Sequence, residues 1–501
     1  MRTNPNANLV QFEIVKIAYK LAAAFFCGAI FFPSTLRAQD GPRTTRAIVA
    51  QAAAAGAKIP PGPFAPTWDS IRTNYAVPGW FRDAKFGIFM HWGLYAVPAH
   101  ASEWYEKHMY GNPGITQWHT EKFGSPDKFG YKDFIPLFTA TNWDPDAWAT
   151  LFKKAGAKFI VPTAEHHDGF ALWNSTVNKY NVMQMGPHRD LIGDLSKAVR
   201  KQGLKFGVSN HGIEHFTFIQ PTPGVTNDLY DPQWKDFYSV ADRSDAACEK
   251  FLENWVAQNV ELIDQYQPDI LWFDNGVNGR VFDAIKLKVA AYYYNRAATW
   301  GKEVSLETKD NAYLAGSITD FERRSRAPKE LTDFVWDVDE PVLYRFGYTE
   351  GSPIASADAC VRLLVEATSK NGGLLLNISP KADGTIPDDQ QKLLLQIGAW
   401  LDVNGAAIYG TRPWKQFGAD KIRFTTKGKT LYAISLGWPG KEMFIPALAK
   451  GKADGKIEKV SLLGRTGALE FSQDEIGLHV TMPEVKPCDY AFALEITGLE
   501  L

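Results

Sequence analysis

Asp274 is the residue whose setting most demands a chemical explanation. It closes the run Asp269-Ile270-Leu271-Trp272-Phe273-Asp274, and a carboxylate beside two large aromatic side chains is costly to bury unless it is paired or used. Nucleophilic displacement at an anomeric carbon requires such a carboxylate on a rigid element; the plainer alternative is a cap for the next helix. Imidazoles gather in comparable positions, where apolar runs end in His91-Trp92-Gly93, in Glu165-His166-His167-Asp168-Gly169 and in Ser209-Asn210-His211. A neutral imidazole offers one donor and one acceptor, which suits sugar hydroxyls, although a single histidine is often only a hydrogen-bonded core residue. Histidine and aspartate also ligate metals, but no His-x-His or His-Glu-x-x-His spacing is present, so neither a metal nor an organic cofactor is expected. Glu103-Trp104-Tyr105 sets a carboxylate beside a ring, a pairing that fits sugar recognition as well as ordinary packing at a helix start.

For these groups to meet, the runs that carry them must be neighbours. Residues 86–92, 159–164, 204–209, 270–274 and 374–378 are nearly continuous apolar runs, with weaker ones at 304–307, 318–322 and 334–338. Amphipathic segments such as 190–202 and 246–266 separate them. Apolar strands alternating with helices imply a parallel sheet covered on both faces. About eight of them over roughly 350 residues predict an α/β fold, a distorted (β/α)8 TIM-like barrel over 67–414, whose C-terminal strand ends share one mouth. Beyond Pro413-Trp414 the pattern turns to short alternating strands, which predicts a small C-terminal antiparallel β-sandwich over 415–501.

Composition narrows the function classes. Lys and Arg total 54 against 56 Asp and Glu, a net charge of −2, which excludes a polybasic nucleic-acid binder and suits a neutral substrate. A hydrophobic content of 45% excludes wholesale disorder. Residues 21–32 (LAAAFFCGAIFF) follow Lys16 and Lys20 and precede Ala38. That order describes a secretory signal over 1–38, cut near Ala38, and the run is shorter than the about 20 residues that span a bilayer. A secreted or periplasmic protein with no membrane span after signal removal is therefore expected. Residues 39–66, with an alanine run at 52–55 and Pro-Pro-Gly-Pro at 60–63, read as a mobile linker or a wrapped N-terminal arm. Cys248, Cys360 and Cys488 are too few for a disulfide scaffold, though one bridge is feasible. No motif encodes an oligomeric state.

The ordered set 84–95 (AKFGIFMHWGLY), 103–105 (EWY), 166–170 (HHDGF), 186–191 (GPHRDL), 268–274 (PDILWFD), 371–377 (NGGLLLN) and 404–414 (NGAAIYGTRPW) resembles the α-L-fucosidases of glycoside hydrolase family 29. The resemblance implies a distorted barrel with a C-terminal sandwich. It also implies retaining, exo-acting hydrolysis of terminal α-L-fucose from a fucosylated oligosaccharide or glycoconjugate, without a cofactor. By the same resemblance Asp274 is the nucleophile, and His91, Glu103, Trp104, His166 and His167 bind fucose with Trp272 beside them. Two departures stand out. The family often has Tyr after the third strand's Phe-Gly-aliphatic; here Phe206-Gly207-Val208 leads into Ser209-Asn210-His211, so either a ring that contacts the sugar is lost or His211 or another aromatic fills that place. The family's general acid/base is usually a Glu in a stretch matching 334–340 (FVWDVDE); the resemblance puts Asp337 there first, Glu340 second and Asp339 third. A fucose-binding protein without catalysis, and a member specialised for a branched or different glycoside, are the alternatives. Residues 214–238 are expected either to shape the aglycone side or simply to pack.

Overall fold

A computed structural model describes residues 42–501 apart from 310 and 311, so the expected signal, 1–38, lies outside the described residues. Eight parallel strands close a barrel in chain order: β1 (Phe86–Met90), β2 (Phe159–Glu165), β3 (Lys205–Asn210), β4 (Ile270–Phe273), β5 (Ser305–Lys309), β6 (Ser317–Asp320), β7 (Trp336–Pro341) and β8 (Gly372–Ile378). Every residue of β1, β2, β4, β5, β7 and β8 is buried, as a sheet covered on both faces requires.

The helices between them begin at local stop-and-start signals. Asp144 accepts from Ala147 N at 3.0 Å ahead of Pro145–Lys154, Asp190 from Gly193 N at 2.8 Å ahead of Leu191–Lys201, and Ser356 from Ala359 N at 3.2 Å ahead of Ala357–Ser369. Each satisfies an orphan donor of the first turn.

The three weak strands exist, displaced by one to three residues from the expected runs. β6 pairs with β7 at two positions only, Thr319 with Trp336 and Asp320 with Asp337, and this is where the barrel is least regular. The β2–β3 register shifts between Thr163 and Glu165. Such an irregularity re-aims the residues that follow it, which here are His166 and His167.

The barrel interior is apolar around Phe89, Phe159, Val161, Ile270, Trp272 and Leu375. Beside these lie four buried carboxyls, Glu307, Asp320, Asp337 and Asp339. Burial first, and then one another's charge, raises all four: Asp320 to about 7, and Glu307, Asp337 and Asp339 well above the carboxylate range.

Residues 49–501 form one compact unit. Over the expected linker, the helix Pro42–Ala55 covers the alanine run, with Val49 and Ala52 buried and Lys288 Nζ donating to Ala53 O. Asn295 receives Phe64 N at 3.0 Å and donates to Pro60 O at 3.0 Å. From Val49 onward the segment packs as the wrapped-arm reading expects: alanines favour helix, and one face of this one is buried.

The C-terminal part pairs a five-stranded sheet, in order β13 (Gly455–Leu462), β16 (Phe492–Leu499), β11 (Thr430–Ser435), β10 (Ile422–Lys427) and β9 (Arg412–Ala419), with a three-stranded one of β12 (Glu442–Ile445), β15 (Leu478–Thr481) and β14 (Phe471–Gln473). Trp414, expected as the last residue of the barrel, lies in β9 and meets Phe424 edge-on at 5.0 Å in the sandwich core. Cys248, Cys360 and Cys488 are all free. Among the described residues no helix is long and apolar enough to cross a membrane.

Candidate active site

Asp274 follows β4 directly, and its two oxygens have different partners. Oδ1 accepts from Asn275 N at 2.7 Å and lies 3.1 Å from Lys309 Nζ; Oδ2 accepts from His211 Nδ1 at 3.0 Å and lies 3.6 Å from His167 Nε2. The residue does cap the short turn after it, so the capping and nucleophile readings coexist. Burial by itself would raise this carboxyl, but Lys309 and His211 pull it well below the usual range. It is therefore an ionised, nearly dry carboxylate with 12% of its side chain still reachable from outside.

Four imidazoles surround it. His91 Nδ1 donates to Asn377 Oδ1 at 2.7 Å, and Asn377 Nδ2 donates to Phe346 O at 2.8 Å, so Asn377 fixes the tautomer that leaves His91 Nε2 as the free acceptor. His167 Nδ1 donates to His211 O at 3.1 Å, which turns Nε2 toward Asp274. His166 Nδ1 is buried and has no partner, an open hydrogen-bonding position. His211 Nε2 lies 3.0 Å from Ser209 Oγ. Burial holds His91 and His166 well below their ordinary value and His211 near about 4, so all three are neutral, as donor-and-acceptor recognition of hydroxyls requires. The His211 ring lies 4.8 Å from that of His166. Gly169 makes the turn after His166-His167-Asp168 possible: its φ is +70° and a Cβ there would meet the His215 ring at 2.9 Å.

Glu103 is in the mouth, but its Oε2 accepts from Phe346 N and Gly347 N, both at 3.1 Å, so it latches the loop after β7. Trp104 is a wall, 6.1 Å from the His167 ring and 6.1 Å from Phe218. Phe218, from the 214–238 segment, also lies 4.8 Å from His167, whereas Tyr238 of the same segment packs on Tyr110 at 5.7 Å. Trp272 exposes nothing. It donates to Asp320 Oδ2 at 2.8 Å and packs 4.9 Å from His211, so it supports the site from beneath and does not line it.

Of the expected acid/base residues only Asp339 approaches Asp274, through Lys309. Asp337 is the second residue of β7, fully buried in the barrel, with Lys85 and Gly373 beside it. Strand alternation puts Asp339 on the same face and Glu340 on the other. Glu340 accepts from Arg324 Nε and Arg324 N, both at 2.7 Å. Asp339 reaches Lys309 Nζ at 3.7 Å but has 1% of its side chain exposed. Two glutamates outside the expected stretch are better placed. Glu322, two residues past β6, lies 3.3 Å from the same Lys309 Nζ and is 28% exposed. Glu214, after β3, approaches His167 Nδ1 at 3.7 Å; burial and the Asp274 charge raise its carboxyl.

Lys309, Asn377, Glu322 and Phe218 were not anticipated. Lys309 closes β5 as Asp274 follows β4, and extending the run 304–307 by two residues would have found it. Asn377 is the lone polar residue of Leu374-Leu375-Leu376-Asn377-Ile378. Potential metal-ligand sets exist: nitrogens of His91, His166 and His211 lie within 4.8 Å of one another, as do ligand atoms of His167, His211 and Asp274. His211 is common to both sets, and its two ring nitrogens already meet Asp274 Oδ2 and Ser209 Oγ, each at 3.0 Å. A cavity of about 690 Å³ lies farther along the β2 loop, lined by residues such as Asn181, Gln184 and Trp234; Asp274 and the imidazoles around it are apart from it.

Residues 51–406 match the family model described as alpha-L-fucosidase, and 415–497 match the alpha-L-fucosidase C-terminal domain. The chain is 32% identical over 464 residues to the tissue alpha-L-fucosidase of Mus musculus, covering 88% of this chain and 96% of that one. It is 32% identical over 466 residues to the plasma alpha-L-fucosidase of Homo sapiens, covering 87% and 93%. Among solved structures, the Thermotoga maritima alpha-fucosidase in complex with fucose superposes with a TM-score of 0.73 at 33% identity, covering 87% of this chain and all of that one.

Proposed function

The chain belongs to the α-L-fucosidase family, a glycoside hydrolase family, and from that premise we propose that it releases terminal α-L-fucose from fucosylated oligosaccharides or glycoconjugates by retaining double displacement. The observation that carries the mechanism is the Asp274–Lys309–Glu322 arrangement. Two carboxylates 3.1 and 3.3 Å from one ammonium have oxygens within about 6.5 Å of each other. That limit admits the about 5–5.5 Å of a retaining pair.

In this reading Asp274 attacks the anomeric carbon while Glu322 protonates the departing oxygen. Glu322, now a base, then takes a proton from the water that releases fucose from Asp274. The neutral imidazoles of His91 and His166 hold the sugar hydroxyls, and Trp104 covers an apolar sugar face. Glu214 is a second reading for the acid, favoured by its raised carboxyl, since an acid must hold its proton near working pH. The basic, apolar and small-residue order of 16–38 supports export, with cleavage near Ala38 and a secreted or periplasmic location.

Azide separates the roles by stereochemistry. In Asp274→Gly, azide entering the vacated side of an α-fucoside gives β-fucosyl azide. In Glu322→Gly, azide attacks the glycosyl-enzyme on Asp274 and gives α-fucosyl azide. An α-azide from Glu214→Gly alone moves the acid/base role to Glu214, and full hydrolysis by Asp274→Gly refutes the nucleophile assignment.

A further inference from the structure

The rim beside Trp104 carries positive charge that the hydrolysis of fucose itself does not use. Lys107 Nζ lies 4.9 Å from the Trp104 ring and 5.3 Å from the Phe218 ring, the two aromatics that flank His167. Arg345 sits in the loop that Glu103 latches, next to Phe346, whose ring is 4.9 Å from that of His91. Its guanidinium lies 4.8 Å from the ring of Tyr344, which is 65% exposed. Both cations act on His108: burial first, then Lys107 and Arg345, push its imidazole down to about 4.

Among the described residues neither Lys107 nor Arg345 has a carboxylate within 4 Å. Glu214 is felt by Lys107 only at longer range, and Glu103 spends Oε2 on backbone N–H groups. Arg323, the next cation along, is shared between Tyr344 O at 3.1 Å and Glu322 at 4.0 Å. Lys107 is part-buried, and burial lowers its ammonium; a desolvated cation without an anion is a cost that an incoming anion would relieve. The position matters. The imidazoles and Asp274 form the closed end that takes the terminal sugar, so the rim of Trp104, Phe218 and Tyr344 meets the sugar next to it.

We propose that this rim selects fucosides whose neighbouring sugar carries negative charge, a sulfate ester or a carboxylate, held between Lys107 and Arg345. The proposal rests on the α-L-fucosidase reading and deepens it. Net charge near zero does not oppose it, because selection by two rim cations is local.

The test compares kcat/KM for matched fucosylated disaccharides of one cleaved linkage whose second sugar is neutral, O-sulfated or a uronic acid, with a neutral aryl α-L-fucoside as reference. The wild-type protein is expected to prefer at least one anionic form by roughly five- to tenfold, mainly through KM, as two partly exposed charge contacts provide. The preference should shrink in about 0.5 M NaCl and fall to near one in the Lys107→Met/Arg345→Gln variant, with an unshifted Tm showing that the variant is folded. The sulfated and uronic arms tell the two anions apart. Equal use of neutral and anionic disaccharides overturns the proposal while aryl fucoside turnover keeps the hydrolase. A preference that survives in the double variant also overturns it, and failure to cleave any fucoside overturns both.

Discussion

Replacing Lys309 with Met removes the only ammonium within 4 Å of Asp274 among the described residues, and its effect is legible in the pH dependence of the reaction. The nitrogen lies 3.1 Å from Oδ1 in a nearly dry setting. At an effective dielectric of about 20 that separation corresponds to a gross attraction of roughly 5 kcal/mol. Much of this is offset by the loss of hydration, and His211 and Asn275 N remain as donors to the same carboxylate. An adjacent opposite charge typically lowers a carboxyl by about 1–3 units, or about 1.4–4 kcal/mol.

The sign follows directly. Lys309 favours the ionised form, so its removal raises Asp274, and protonation then disables the nucleophile at a higher pH than before. The acid limb of kcat/KM for an aryl α-L-fucoside should move upward by about 1–3 units in Lys309→Met. Activity should recover as pH rises past the new limb, and Lys309→Arg should keep the original limb. A folded Lys309→Met protein whose acid limb stays within about 0.3 unit of the wild type would refute the reasoning. So would a loss of equal size at every pH, because a positioning role alone produces that.

Asp337→Asn should keep kcat/KM within about threefold, since the carboxyl lies in the barrel interior and is already neutral, and azide should not change its rate; a drop of two orders of magnitude returns the acid role to Asp337. The same variant tests the buried carboxyls by linkage. Glu307, Asp320, Asp337 and Asp339 hold protons in the folded state that the unfolded chain releases above their ordinary values of 3.8 for Asp and 4.5 for Glu. Their stabilising share is therefore complete below that range and is lost as pH climbs through about 7 and beyond. Tm should fall between pH 5 and 9, less steeply in Asp337→Asn, and a flat wild-type profile contradicts the burial argument. Asn377→Leu strands the buried His91 Nδ1–H, worth about 1–3 kcal/mol, and takes one of two donors from Phe346 O, which keeps Ser379 Oγ at 2.6 Å; a lowered Tm and a KM raised by about tenfold or more are expected, and an unchanged KM means that Asn377 does not orient His91.

Sequence alone carried the architecture a long way because its signals are local. A run of buried apolar residues followed by a polar group marks a strand end wherever it occurs, and this placed His91, His166, His167, His211 and Asp274 at one mouth. The sandwich was legible for the same reason, although Trp414 was put on the wrong side of the boundary: an aromatic at a junction suits either core, and only packing on Phe424 chooses. The weak strands were drawn with shifted ends, and there the site reading failed. Side chains alternate with a period of two, so an uncertain strand start leaves face and depth undetermined.

What the sequence by itself determined was the set of strand ends and, among them, Asp274 as the candidate nucleophile, because an Asp closing an apolar strand is conspicuous along the chain. The tertiary structure alone decided the partners of Asp274. Asp337 and Asp339 face inward, deep in the barrel, and Glu340 turns away to Arg324, whereas Glu322 meets Asp274 across Lys309. The physical reason is that a pair of charges acts through distance in space. Residues 274, 309 and 322 are separated along the chain and become neighbours only when β4, β5 and β6 lie side by side in the closed barrel.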